Sequence, residues 1–275
     1  MTYDQVKHLK PEEFKRLCGV RPETFNQMVA VLQECKQQLK PGRPSKLSLE
    51  DKVLMTLEYL REYRTYFHIA QTWGVYESTA YRIIHTVEDT LIRCKKFHLP
   101  GKKKLLEPNY EIEAVVVDVT ESPIERPKKK QKYYYSGKKK RHTLKSQVVV
   151  DQVSKQIICT AHGKGREHDF SLFKSSFVQL KSEIICLADK GYQGIVKIHR
   201  KSCTPKKKPR GASLSIEDKH CNRQLAKLRV VGEHINRSLK IFKILSERYR
   251  NRRKRFGLRF NLIAGLYNYE LKLPS

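Results

Sequence analysis

Along roughly the first hundred residues the apolar positions recur at steps of three and four, and the chain reads as a series of amphipathic helices. Phe25, Met28, Val29 and Leu32 mark one such face, and Leu49, Val53, Leu54, Leu57 and Leu60 mark another. Pro11 suits the opening of a first helix, Gly19 its left-handed close, and Pro22 the start of a second. Pro41 to Lys46, with two prolines and a glycine, is a connector. Ser48 followed by Asp51 forms an S-x-x-D capping signature. Next, Thr65 can cap a short helix over Tyr66 to Trp73, Gly74 supplies a tight turn, and a further helix runs from about Ser78 to Leu91. Small Ala70, Gly74 and the Ile83–Ile84 pair fit a helix-turn-helix, whose second helix would present Glu77, Thr79, Tyr81 and Arg82 to a DNA groove.

The period changes after Leu99 to Pro108, which places a boundary near residue 100: a helical domain over 1–100 and a second domain over 101–275. Ile112 to Thr120 (IEAVVVDVT) is a nearly continuous β-branched run that predicts a buried strand ending at Asp118. Leu144 to Asp151 and Gln156 to Ala161 predict two more strands, and the Tyr133–Tyr135 triplet with Ser136–Gly137 a hairpin edge. Asp169 is a plausible N-cap for a helix in GREHDFSLFKSSF. Glu183 to Leu187 is a further strand leading to Asp189 in ADKGYQG, so that two carboxylates stand at strand ends. From Ser215 the pattern is helical again, with Leu225, Leu228, Val231, Ile235, Leu239, Phe242 and Leu245 in step, and a last apolar helix covers Phe256 to Leu271. Strands and helices in this order make a mixed α/β layer fold.

Charge then narrows the partners. The chain holds 57 Lys and Arg against 28 Asp and Glu, a formal +29. That much like charge opposes compaction unless a polyanion neutralises it, and nucleic acid is the leading candidate. Lys128 to Arg141 carries eight basic residues and no acid, which favours phosphate contacts by side chains such as Lys138 and Lys139. Seven scattered cysteines with no C-x-x-C spacing fit reduced intracellular thiols, and no apolar run reaches the ~18 residues of a membrane span. A cytoplasmic, nucleoid-associated protein is expected.

The candidate chemistry lies in the acids. On the long helix Arg229, Glu233 and Lys240 stand at i, i+4 and i+11, near one face, so Glu233 can face the two aspartates while the basic pair flanks it. Three converging carboxylates need a counter-charge, and two Mg²⁺ ions supply it, with Mn²⁺ an acceptable substitute. Paired hard cations activate an attacking oxygen and stabilise the leaving oxygen of a phosphodiester. Glu121, Glu125, Glu217, Asp218 and Glu247 are rival acids. A turn or capping role for Asp118, and a solvated helix charge for Glu233, are the plainer alternatives.

VVVDVTES, GREHDF, ADKGYQG and the R-x3-E-x6-K of Arg229, Glu233 and Lys240 resemble the DDE transposases of the insertion-sequence-five group, relatives of the Harbinger nucleases. The resemblance spans about Glu111 to Leu271. It implies an RNase H-like fold, with Asp118, Asp189 and Glu233 as catalytic metal ligands and Asp118 bridging both ions. Its implied partners are the double-stranded DNA of transposon ends and target, bound by a homodimer. Where related sequences carry a tyrosine three residues before the arginine, this chain has Ala226. A non-enzymatic, domesticated DNA-binding protein and a host nuclease on the same fold are the other readings.

Overall fold

The computed structural model describes residues 2–37, 45–209, 211 and 213–274, which leaves most of the Pro41–Lys46 connector outside the described residues. The chain divides into two compact units, one of Met1–His98, Leu239–Arg248 and Lys254–Ser275, the other of Leu99–Ser238 and Tyr249–Arg253. The C-terminal stretches, which sequence placed with the second domain, instead cluster with the N-terminal helices.

In the first unit, α1 (Tyr3–Val6), α2 (Pro11–Cys18), α3 (Pro22–Gln37), α4 (Leu49–Glu62), α5 (Tyr66–Trp73) and α6 (Glu77–Arg93) follow in order. Gly19 closes α2 at φ +84°. Ser48 Oγ accepts from the backbone N–H of Asp51 at 3.0 Å, but the Asp51 carboxylate accepts from the N–H of Tyr3, so the reciprocal half of the capping box is not made. Sequence gave α4 one apolar face; in the structure every residue from Val53 to Leu60 is buried, because α2, α3 and α6 surround it. Its buried Glu58 is satisfied by the Trp73 indole N–H at 2.7 Å and by Arg64 at 2.9 Å.

The C-terminal helices complete this unit because the core requires them. Two later helices belong here, and their numbers follow those of the second unit: α10 (Lys243–Ser246) packs against α4, and α11 (Phe256–Glu270) against α3 and α6. Phe242 and Leu245, which sequence extended along the long helix, belong to this separate packing. At Gly265 a side chain has no room: an added Cβ would lie 2.0 Å from the Phe97 carbonyl oxygen. Arg259 of α11 is fully buried and donates to Glu88 of α6 at 2.7 Å.

The second unit holds a mixed sheet of β1 (Ala114–Pro123), β2 (Tyr135–Ser136), β3 (Arg141–Asp151), β4 (Ile157–Lys164), β5 (Ile185–Ala188) and β6 (Ser202–Cys203). The helices α7 (Gln131–Tyr134), α8 (Asp169–Ser175) and α9 (Ile216–Lys240) complete it, though the last two residues of α9 are counted with the first unit. β4, β3 and β1 are antiparallel neighbours, and β5 and β6 continue parallel to β1. Three antiparallel strands followed by two parallel ones have the mixed character expected of an RNase H-like sheet. Val115, Val117, Cys186 and Ala188 face one buried cluster with Phe173 and Ile195. Val116 and Asp118 point to the opposite face, where α9 lies.

Two local expectations change. β1 does not end at Asp118 but runs on to Pro123, because β3 pairs with it along its whole length, as far as Pro123↔Thr143. Asp169 is not the N-cap of α8; His168 takes that position, and the Asp169 carboxylate binds Lys145 instead. Among the described residues, no helix is long and apolar enough to cross a membrane. All seven cysteines are free, and burial pushes the thiols of Cys18, Cys159 and Cys186 up to about 12, which leaves them inert.

Candidate active site

The register of two strands brings the first pair of acids together. β5 pairs with β1 as far as Val117↔Ala188, and the next residues on the two parallel strands are Asp118 and Asp189. Asp118 sits inside β1 but at the place where its β5 neighbour stops, so the end of the shorter strand opens the site. Burial pushes the Asp118 carboxyl above the usual carboxylate range. The Val119 backbone and the Arg229 guanidinium pull it down, while the charges of Asp189 and Glu233 add to the upward push. Both aspartates line an open cleft of about 310 Å³ shared with Glu121, Lys138, Lys145 and Asp169.

α9 supplies the opposite wall. Gly232 is buried against β1, and an added Cβ would stand 3.2 Å from Val116 Cγ1 and 3.4 Å from Asp118 Cβ. This close approach brings two polar side chains of α9 to the acids. Asn236 Nδ2 donates to Asp118 Oδ2 at 2.8 Å, and Arg229 Nη1 donates to Asp189 Oδ1 at 3.4 Å, with Nη2 4.0 Å from Asp118 Oδ1. Asn236 Oδ1 and Arg229 Nε are buried without a hydrogen-bond partner. Glu233 is exposed, although its charge is felt at Asp118. Among the described residues, no three His, Cys, Asp or Glu side chains group closely enough to hold one metal ion. Lys240, half-buried at the last position of α9, is counted with the first unit.

Sequence reasoning missed Gly232 and Asn236. The signal was present in the spacing: Asn236 stands two turns from Arg229 at i+7, closer to its face than Glu233 at i+4. Lys145 was also missed. Its side chain is 12% exposed, and it donates to Asp169 Oδ1 at 2.8 Å and to the Glu167 carbonyl at 2.6 Å, tying the start of α8 to β3. The basic residues predicted nearby lie at the surface: Lys138 and Lys139 are both exposed beyond β2, and Lys138 borders the acid cleft. In the first unit, α5 and α6 are joined through Gly74 at φ +61°. On α6, Tyr81 and Arg82 are exposed and Thr79 is half-buried, with Tyr81 packed edge-on against Tyr66.

Residues 117–268 match the family model described as DDE superfamily endonuclease, and residues 45–97 match the helix-turn-helix of DDE superfamily endonuclease. The chain belongs to the DDE endonuclease superfamily. It is 56% identical over the full length of both chains to a probable transposase for insertion sequence element IS702 from Microchaete diplosiphon. It is 26% identical to a putative transposase for insertion sequence element IS112 from Streptomyces albus G, over 67% of this chain and 68% of the other. No solved structure matches the chain.

Membership of the DDE endonucleases implies dependence on a divalent metal, and the helix-turn-helix implies DNA binding. The donor set fits a hard cation. Two carboxylates stand side by side and the Asn236 amide oxygen is buried with no donor to satisfy it, and a bound cation would take the place of the Arg229 guanidinium as their counter-charge.

Proposed function

We propose that this protein is a transposase that binds the ends of its own element through α5 and α6. It cuts phosphodiester bonds there and joins the freed 3′-OH to target DNA. Asp118 and Asp189, with Glu233 as the third carboxylate, would hold two Mg²⁺ ions, for which Mn²⁺ can substitute. When bound, such a pair supplies a polarised phosphodiester and charge stabilisation for the attacking and leaving oxygens. The single observation that carries this reading is the placement of Asp118 and Asp189 on adjacent parallel strands where β5 ends.

The protein's own side chains do the rest. Asn236 orients Asp118 through Oδ2, which fixes one carboxylate oxygen and leaves the other turned toward Arg229. Arg229 lowers the cost of holding two carboxylates close together. Thr79, Tyr81 and Arg82 contact the DNA groove and its phosphates, and Lys138 and Lys139 hold phosphates near the acid cleft. Two ends must meet for joining, so a homodimer forms the working complex, acting on the nucleoid in the cytoplasm.

The test is Mg²⁺-dependent cleavage of DNA carrying the element's ends, with Asp118→Asn, Asp189→Asn and Glu233→Gln beside the unmodified chain. Each substitution is expected to lower cleavage on the order of a thousandfold, with end binding unchanged. Cleavage at the normal rate by any of the three would remove that residue from the site. A second reading is favoured by Arg229 between the aspartates and by the exposed Glu233: an idle DNA-binding relative. It predicts that the unmodified chain binds ends but cuts nothing.

A further inference from the structure

The edge of the sheet next to the acid cleft carries aromatic rings that the core does not use. Tyr133 and Tyr135 are 43% and 44% exposed in the middle of the most basic stretch of the chain. Rings buried for stability would turn inward; these face solvent among cations. Lys132 and Lys164 place their ammonium groups 5.5 and 5.2 Å from the Tyr133 ring centre, and Arg253 lies 4.5 Å from that of Tyr134. The Tyr135 ring meets His142 across the β2–β3 pair at 5.7 Å and 75°, so the two rings form an open right-angled notch.

That notch has a defined neighbour. Tyr135 and His142 line an open cleft with Arg126, Lys132 and Arg166, and Gly137 and Arg166 border both this cleft and the one holding Asp118 and Asp189. From these placements we infer that the Tyr133–Tyr135 edge is a stacking shelf for unpaired nucleotides of single-stranded DNA. It takes the strand that continues past the bond held at the acids. The inference rests on the DNA-cutting reading for its setting, but its chemistry is its own. Bases inside a duplex already have their faces stacked on one another, so an exposed ring flanked by cations gains most from a base that has left the helix. The cations at Tyr133 and Tyr134 stand where the phosphates between successive bases would pass. Stacking is sequence-tolerant, so the shelf would grip a strand without reading it.

The experiment measures binding of the full chain to a fluorescent single-stranded dT12 and to a duplex of the same length, by anisotropy in EDTA. Tyr135→Ala is expected to weaken single-strand binding about tenfold while duplex binding stays within about twofold. Tyr135→Phe keeps the ring and is expected to bind both as the unmodified chain does. Tyr133→Ala, outside the strand pairing, is expected to repeat the single-strand loss, so a folding defect in Tyr135→Ala would not decide the matter. Single-strand affinity unchanged in both alanine variants overturns the shelf, as does an equal fall for single strand and duplex. Because no metal and no cleavage enter the measurement, a chain that never cuts DNA would sink the function proposed above and leave this result standing.

Discussion

Two carboxylates near arginines, one in each unit, differ in how fully their surroundings satisfy them. Glu88 of α6 is 0% exposed, and each of its oxygens has a guanidinium donor: Oε1 from Arg259 at 2.7 Å and Oε2 from Arg255 at 2.9 Å. Arg255 reaches on to Asp89 at 2.8 Å. Asp118 of β1 has a 21% exposed side chain, hydrogen bonds from Asn236 and from the Val119 backbone, and a guanidinium held off at 4.0 Å. Glu88 repays its desolvation in full, and Asp118 does not. The neighbours of Asp118 carry orphaned polar atoms and its carboxyl is pushed up, which is stored cost that a cation or a substrate could release.

The sharpest way to break this contrast is to truncate both. Glu88→Ala leaves buried Arg259 without its acid, while Arg255 keeps Asp89, and is expected to cost about 3–5 kcal/mol. Asp118→Ala removes an unfavourably placed charge and is expected to stay within about 1 kcal/mol of the unmodified chain. Equilibrium denaturant unfolding reads both. Equal losses would mean that Asp118 holds the fold as much as Glu88 does.

The glycines offer the next test. Gly265→Ala drives a Cβ into the Phe97 carbonyl, backbone that cannot yield, and is expected to cost about 3 kcal/mol. Gly232→Ala meets Val116 and Asp118 at ordinary to tight distances, and the better helix propensity of alanine, about 1 kcal/mol, offsets the contact. Its stability is expected to change by less than about 1 kcal/mol. Cleavage should nevertheless fall roughly tenfold, because α9 and its Asn236 move from the acids. A Gly232→Ala variant that melts early but cuts normally would place the helix in the fold and not in the site.

Much of this was legible from residues. The helix limits in the first unit followed from Pro11, Gly19, Pro22, Thr65 and Gly74, whose effects are local and act through φ, capping or a missing N–H. The strands followed from β-branched runs. What stayed hidden depends on packing between distant segments. The membership of α10 and α11 in the first unit rests on close approaches such as Gly265 to Phe97, which no periodicity reports. Leu228 kept the apolar step of α9 yet is 46% exposed, since steps of three and four do not say which element arrives to cover them. The pair Asp118 and Asp189 was visible as two acids after apolar runs; that they are neighbours depends on β5 joining β1 in parallel register. The same pattern gave Glu233 more prominence than Asn236 because a carboxylate is conspicuous and an amide is not.

The smallest expected effect sharpens the contrast by pH. Because burial holds the folded-state pKa of Asp118 above its ordinary value of 3.8, the folded chain binds that proton more tightly than the unfolded chain does. The stability contributed by this group is therefore fully present below 3.8 and lost as pH rises through the raised folded value. At neutral pH the ionised carboxylate is a liability, and Asp118→Asn, which keeps the shape without the charge, is expected to raise Tm by about 2 °C in EDTA. The gain should shrink as pH falls toward 3.8, where the native carboxyl is neutral as well. Divalent metal should reverse the order at neutral pH, stabilising the aspartate form more than the asparagine form, since a charged carboxylate holds a divalent cation more strongly than a neutral amide oxygen does. A Tm difference that ignored both pH and metal would show that Asp118 is as settled in its surroundings as Glu88, and the distinction between the two acids would be gone.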